Sequence, residues 1–174
     1  MFREINILRI FFEEPAREFN VREAAKILKV SPATASKDLK EMTKKGFLKA
    51  RKQSVFDFYK ADTDSDAYRD LKVYYNIRKV KESGLLDALN KFYLKPAVVL
   101  FGSAASGLDT ETSDIDILVV SERGQDFPES KAFEKKLNRR LQFFVVKEVK
   151  DLRNEHLINN VVNGITLQGA VKWI

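Results

Sequence analysis

Five consecutive apolar residues, Ala97-Val98-Val99-Leu100-Phe101, run straight into Gly102-Ser103, and after a short polar loop a second apolar run occupies Ile115–Val120, interrupted only by Asp116. A short continuous apolar run bounded by turn residues reads as a buried strand. The pattern therefore predicts one strand over 97–101 and another over 114–120. A third, Leu141–Val146, follows an amphipathic helix expected over Pro128–Arg140 with Phe133 and Leu137 inward. Residues 66–94 read as helical, broken near Ser83-Gly84 and ended by Pro96. Residues 148–162 also read as helical up to Asn163-Gly164, and a final apolar piece runs from Ile165 to Trp173. Strands mixed with helices in this way place the chain in the α+β class.

The basic charge is unevenly distributed. Residues 1–60 hold 14 Lys and Arg against 8 Asp and Glu, whereas residues 61–174 hold 17 of each. The whole excess of +6 thus sits in the first third, as expected if that segment meets a polyanion. There the apolar spacing predicts a helix over Arg3–Glu13, ended by Pro15, and a second over Val21–Lys29 with Asn20 as its cap. Ser31-Pro32 then opens a third helix, which stops at Gly46 and buries Ala35, Leu39 and Met42. That face turns Thr34, Ser36, Lys37 and Lys40 outward. Two extended pieces, 47–50 and 55–59, flank Arg51-Lys52-Gln53-Ser54, read as a basic hairpin tip. The acidic stretch Asp62–Asp66 marks a module boundary.

Chemistry concentrates where Gly102-Ser103 is followed, ten residues later, by Asp114-Ile115-Asp116. Side chains two apart on a strand point to one face, so the two carboxylates can converge on one cation. Hard oxygen donors suit Mg²⁺, which takes one or two carboxylates together with substrate phosphates. Gly102 allows the backbone to approach a phosphate closely, and Ser103 adds a hydroxyl and an N–H. The absence of cysteine excludes disulfides, Cys-based zinc sites and thiol catalysis, and a single His excludes a multi-His metal site. No apolar stretch is long enough for a membrane span, and Met1–Ile5 does not read as a signal peptide; a cytoplasmic location is expected.

Two resemblances follow from these residues. The string NVREAAKILKVSPATASKDLKEMTKKGFLKA, with its alanines, its turn and its closing Lys-Gly-Phe-Leu, resembles the winged helix-turn-helix family over residues 3–60. FGSAASGLDTETSDIDILVV resembles the minimal nucleotidyltransferases of the DNA polymerase β-type superfamily, with the similarity extending over 97–174. Together they imply a winged helix-turn-helix over 1–62, a helical linker over 63–95 and a mixed-sheet nucleotidyltransferase domain over 96–174. The helical stretch also admits roles as a dimerisation helix or as part of the second domain. The second resemblance implies Mg²⁺-dependent transfer of a nucleoside monophosphate from an NTP to a protein or RNA hydroxyl. Gly102 and Ser103 would hold the triphosphate, and Asp114 and Asp116 the metal. The first implies DNA contacts from Thr34, Ser36, Lys37 and Lys40, with Arg51 and Lys52 reaching from the wing. Expected partners are an NTP, DNA, a toxin-like protein and a second copy of the chain.

One residue departs from the family pattern. A third carboxylate normally comes from a later strand, but Leu141-Gln142-Phe143-Phe144 puts the neutral Gln142 there. Glu148 has the matching strand parity but lies beyond the apolar run. The alternative is therefore a DNA-binding regulator whose second domain binds nucleotide with impaired catalysis. His156, Tyr74, Tyr75, Phe92 and Tyr93 read as structural residues. Lys135, Lys136, Arg139 and Arg140 read as a solvated basic face with the option of touching triphosphate or acceptor.

Overall fold

The computed structural model describes residues 2–172 and divides into two compact units, residues 1–75 and 76–174. Trp173, the end of the expected final apolar piece, lies outside the described residues.

In the first unit, helix α1 (Phe2–Glu13) presents Ile7, Leu8, Phe11 and Phe12 to the core. A two-residue strand β1 (Phe19–Asn20), which the sequence pattern does not announce, leads into α2 (Val21–Leu28). The Asn20 side chain caps α2 by accepting from the Glu23 N–H at 3.0 Å, and Lys29, at φ +56°, closes it in the left-handed region. Ser31 caps α3 (Pro32–Lys44), accepting from the Thr34 N–H at 3.1 Å, with Pro32 in the first turn. Strands β2 (Leu48–Gln53) and β3 (Phe56–Ala61) pair antiparallel and build, with β1, a three-stranded sheet in the order β1-β3-β2.

The hairpin differs from expectation. Gln53 pairs with Phe56, so the tip is Ser54-Val55, and Arg51 and Lys52 lie within β2 rather than at the turn. Ser54 supplies the positive φ (+56°) that a two-residue hairpin loop needs.

The segment expected as a linker is divided between the two units. Helix α4 (Asp66–Glu82) spans the boundary, and α5 (Leu85–Tyr93) lies wholly in the second unit. Tyr68 is fully buried in the first core and donates its hydroxyl to the Phe11 carbonyl at 2.8 Å. Val80, Leu85, Leu89 and Tyr93 belong instead to the second core. The expected break falls at Ser83-Gly84, where Gly84 takes φ +81° and the Ser83 hydroxyl accepts from the Leu85 N–H.

The second unit carries a four-stranded mixed sheet in the order β6-β5-β4-β7. Its strands are β4 (Ala97–Phe101), β5 (Ile115–Val120), β6 (Leu141–Val146) and β7 (Ile165–Gln168). Strand β4 is antiparallel to both β5 and β7, whereas β5 and β6 run parallel. Every residue of β4 is buried, which explains its unbroken apolar run. One face packs on α5, Phe127 and Leu137; the other packs on Val149, Leu152 and Val161. A single-turn helix α6 (Ser103–Ser106) follows β4, and α7 (Ser130–Leu137) connects β5 to β6. A 3-10 turn (Val149–Asp151) and α8 (Glu155–Val162) replace the single helix expected over 148–162. No helix among the described residues is long and apolar enough to cross a membrane.

Candidate nucleotide and metal site

The ladder between β4 and β5 sets Phe101 opposite Asp116, so the chain leaves β4 at Gly102 directly beside the Asp116 side chain. A Cβ on Gly102 would overlap the Asp116 Oδ2 atom and lie 3.3 Å from its Cγ. Gly102 also takes φ +69°, ψ −152°, a conformation open to glycine but strained for other residues. Both space and backbone therefore require glycine here, and the result is close approach of the Gly-Ser turn to the carboxylate. Ser103, half-buried, begins α6 at that turn.

Asp116 is half-buried in β5, and Asp114 immediately precedes the strand, also half-buried. Burial pushes the Asp116 carboxyl above its ordinary value, and the negative charge of Asp114 pushes it further. Because β5 begins only at Ile115, strand alternation does not set the face of Asp114 as the sequence pattern expects. Among the described residues no third His, Cys, Asp or Glu joins them in a metal-holding group. In the parallel ladder Gln142 of β6 sits in register with Asp116, which gives the two side chains the same face of the sheet. Glu148 is no substitute, because it lies past the far end of β6, pairs with Lys150 and caps the 3-10 turn. The donor set of two carboxylates fits one hard cation better than a closely spaced pair bridged by shared oxygens.

The basic cluster expected before β6 does not form one solvated face. The Arg139 side chain is 7% exposed and pairs with Asp109, itself 1% exposed, at 3.0 Å. The Lys136 ammonium donates to the Ser83 carbonyl. Asp109 gives no sequence signal of a role, because its partners lie about thirty residues away in either direction. Tyr93 and Phe92 pack edge to face at 4.7 Å and against Phe127, and His156 is exposed on α8.

In the first unit, Thr34, Lys37 and Lys40 are exposed on α3 and Ser36 is half-buried. Asp38, on the same helix, is buried against Arg3, an ion pair that helical spacing alone does not reveal. Lys52 is exposed, but Arg51 is engaged: its guanidinium donates to both Glu18 oxygens, with Nε to Oε1 at 2.7 Å, and lies 5.3 Å from the Phe58 ring centroid.

Residues 82–166 match the family model described as a nucleotidyltransferase domain, a span containing Gly102, Ser103, Asp114, Asp116 and Gln142. No curated protein matches the chain. The match supports nucleotidyl transfer as the general chemistry of that segment.

The raised Asp116 carboxyl predicts a pH-dependent stability effect. A carboxylate that is harder to ionise in the folded protein penalises folding once pH exceeds its unfolded value. Stability is therefore lost as pH rises from that value through the folded one, and the penalty is constant above it. Without Mg²⁺, Asp116→Asn is expected to raise the melting temperature at pH 7, with the gain shrinking as pH falls through the carboxylate range. Calorimetric melting from pH 3.5 to 7 checks this; an unchanged or lowered midpoint at pH 7 contradicts it.

Proposed function

We propose that the second unit binds a Mg²⁺–NTP through Gly102, Ser103, Asp114 and Asp116 and transfers the nucleoside monophosphate to a protein or RNA hydroxyl. The first unit, in this reading, is a winged helix-turn-helix that binds DNA. The supporting observation is the glycine-enforced approach of the Gly102-Ser103 turn to the Asp116 carboxylate, beside Asp114. An NTP brings four negative charges near two carboxylates, an arrangement that needs a cation between them. Asp114 and Asp116 would hold that Mg²⁺, which supplies charge neutralisation for the phosphates when bound. The Gly102 backbone brings the turn against the Asp116 carboxylate, and the Ser103 N–H and hydroxyl are donors for phosphate oxygens.

Transfer joins the acceptor oxygen to the α-phosphorus, breaks the bond from that phosphorus to the bridging oxygen, and releases pyrophosphate. The acceptor hydroxyl also loses its proton, which passes to solvent water. Gln142, sharing a sheet face with Asp116, can hydrogen-bond a hydroxyl but cannot take its proton as a carboxylate would. That observation favours the second reading, a nucleotide-binding regulator with impaired transfer. A toxin-like protein is the proposed acceptor or partner, and the cytoplasm the proposed location.

Label transfer from α-³²P NTPs to protein or RNA fractions distinguishes the two. The enzyme reading predicts Mg²⁺-dependent incorporation that Asp116→Ala abolishes. Calorimetric Mg²⁺–NTP binding with no incorporation, gained on Gln142→Asp, selects the regulator; absence of both binding and incorporation contradicts the proposal.

For DNA, the exposed lysines of α3 and β2 are the proposed phosphate contacts. Each phosphate neutralised contributes about −0.9 to the slope of log K against log salt. Lys37→Ala and Lys52→Ala are each expected to reduce the slope by about 1, whereas Arg51→Ala changes it less because Glu18 already holds that guanidinium. Fluorescence anisotropy with a labelled duplex at 50–200 mM KCl reads this out. Equal slopes in all variants contradict the assigned face.

A further inference from the structure

The β4–β5 ladder fixes Asp116 but not Asp114, because β5 begins only at Ile115. Both neighbours of Asp114 are held by the two residues that precede β6. Arg139 donates its Nε to the Ser113 carbonyl at 2.6 Å, and the Ile115 N–H donates to the Arg140 carbonyl at 2.9 Å. Arg139 then continues inward. Its Nη1 meets Asp109 Oδ2 at 3.0 Å, while Asp109 Oδ1 accepts from Asn76 Nδ2 at 2.8 Å. The same Asn76 amide donates to the Ala104 carbonyl at 2.9 Å, one residue beyond Ser103. A continuous chain of hydrogen bonds, Ser113–Arg139–Asp109–Asn76–Ala104, thus joins the two halves of the Gly-Ser and Asp-x-Asp signature behind the site.

Stability alone explains this chain poorly. A dry ion pair gains little net free energy against the cost of desolvating both partners. Here Arg139 Nη2 is in addition buried with no hydrogen-bond partner among the described residues, which carries its own penalty. What the arrangement does supply is geometry, since the forked guanidinium spans Ser113 and Asp109 at once, which a lysine ammonium on a flexible stem does not reproduce.

We infer that Arg139, Asp109 and Asn76 are positioning residues that set Asp114 at its distance from Ser103, and so govern the affinity of the nucleotide site for its divalent cation. The inference rests on the nucleotide-binding reading above and assigns a role to three residues outside the signature. None of the three touches the ligand; they act through the backbone at Ser113 and Ala104. Loss of an outer-shell partner of a metal ligand typically costs 10–100-fold in metal affinity.

The test uses the full chain and a Mg²⁺ titration at fixed NTP, followed by calorimetry, with ATP, GTP, CTP and UTP each tried. Wild type, Arg139→Lys, Asn76→Ala and the remote control Asn90→Ala are compared; Asn90 exchanges hydrogen bonds with Gln168 away from the signature. A positioning role shifts the Mg²⁺ midpoint upward by about tenfold in Arg139→Lys and by a smaller factor in Asn76→Ala, with stoichiometry preserved. Asn90→Ala leaves the midpoint in place. A purely structural role reduces the fraction of competent protein instead, with the midpoint unmoved in every variant, and that result overturns the inference. If Arg139→Lys does not fold, Asn76→Ala decides by the same criterion. If wild type binds none of the four NTPs, the nucleotide-binding reading itself falls and takes this inference with it, an outcome distinct from an unmoved midpoint.

Discussion

A carboxylate held partly out of water at the edge of a turn is the constraint around which the second unit is arranged. Asp116 occupies a strand position whose neighbours, Ile115 and Ile117, are buried, and its own charge is disfavoured both by desolvation and by Asp114. An isolated buried charge is costly unless paired. Among the described residues no ion pair is made to it; what lies against it is the backbone of Gly102, a residue without a side chain. The carboxylate thus occupies the space a side chain at residue 102 would take, and its field together with that of Asp114 favours a cation that arrives with an anionic ligand. The sheet order follows the same logic. With β5 between β4 and β6, the Gly-Ser turn and Gln142 flank Asp116 on either side, so a single strand residue reports on both the nucleotide end and the acceptor end of the proposed reaction.

The two units divide the proposed functions by charge. The basic excess is confined to residues 1–60, where several cations are already committed: Arg3 to Asp38, Arg17 to Glu14 and Glu23, and Arg51 to Glu18. What remains exposed on α3 and β2 is a smaller set of lysines, and exposed ion pairs elsewhere add little to stability. This is why Lys37, Lys40 and Lys52 carry the proposed polyanion face, while Arg51 serves mainly to tie β2 to the segment before β1.

Much of this was legible from local signals. The bounds of β4 and β6 follow from uninterrupted apolar runs, the start of α3 from Ser31-Pro32, and the break between α4 and α5 from Ser83-Gly84. Asp114 lies just outside β5, so strand alternation does not fix its face, whereas Gln142, singled out by the family resemblance, stands in register with Asp116. Failures arose where the deciding partner was remote or the turn residue atypical. Ser54 adopts a positive φ that Asn or Gly usually signals, so the sequence pattern sets the tip at 51–54 where the turn is Ser54-Val55, and ends the first strand at 50 where β2 runs to Gln53. Helical periodicity over 66–94 could not tell that Tyr68 serves one core and Leu85 another. Arg139 reads as solvated surface because the Asp109 pairing that buries it spans thirty residues of sequence.

The most direct measurement is a crystal structure of the full chain with Mn²⁺ and a non-hydrolysable NTP analogue, read through the manganese anomalous signal. The account predicts an ion bound by both Asp114 and Asp116, with the triphosphate lying on Gly102-Ser103. An ion bound elsewhere, or an analogue seated away from that turn, would contradict it.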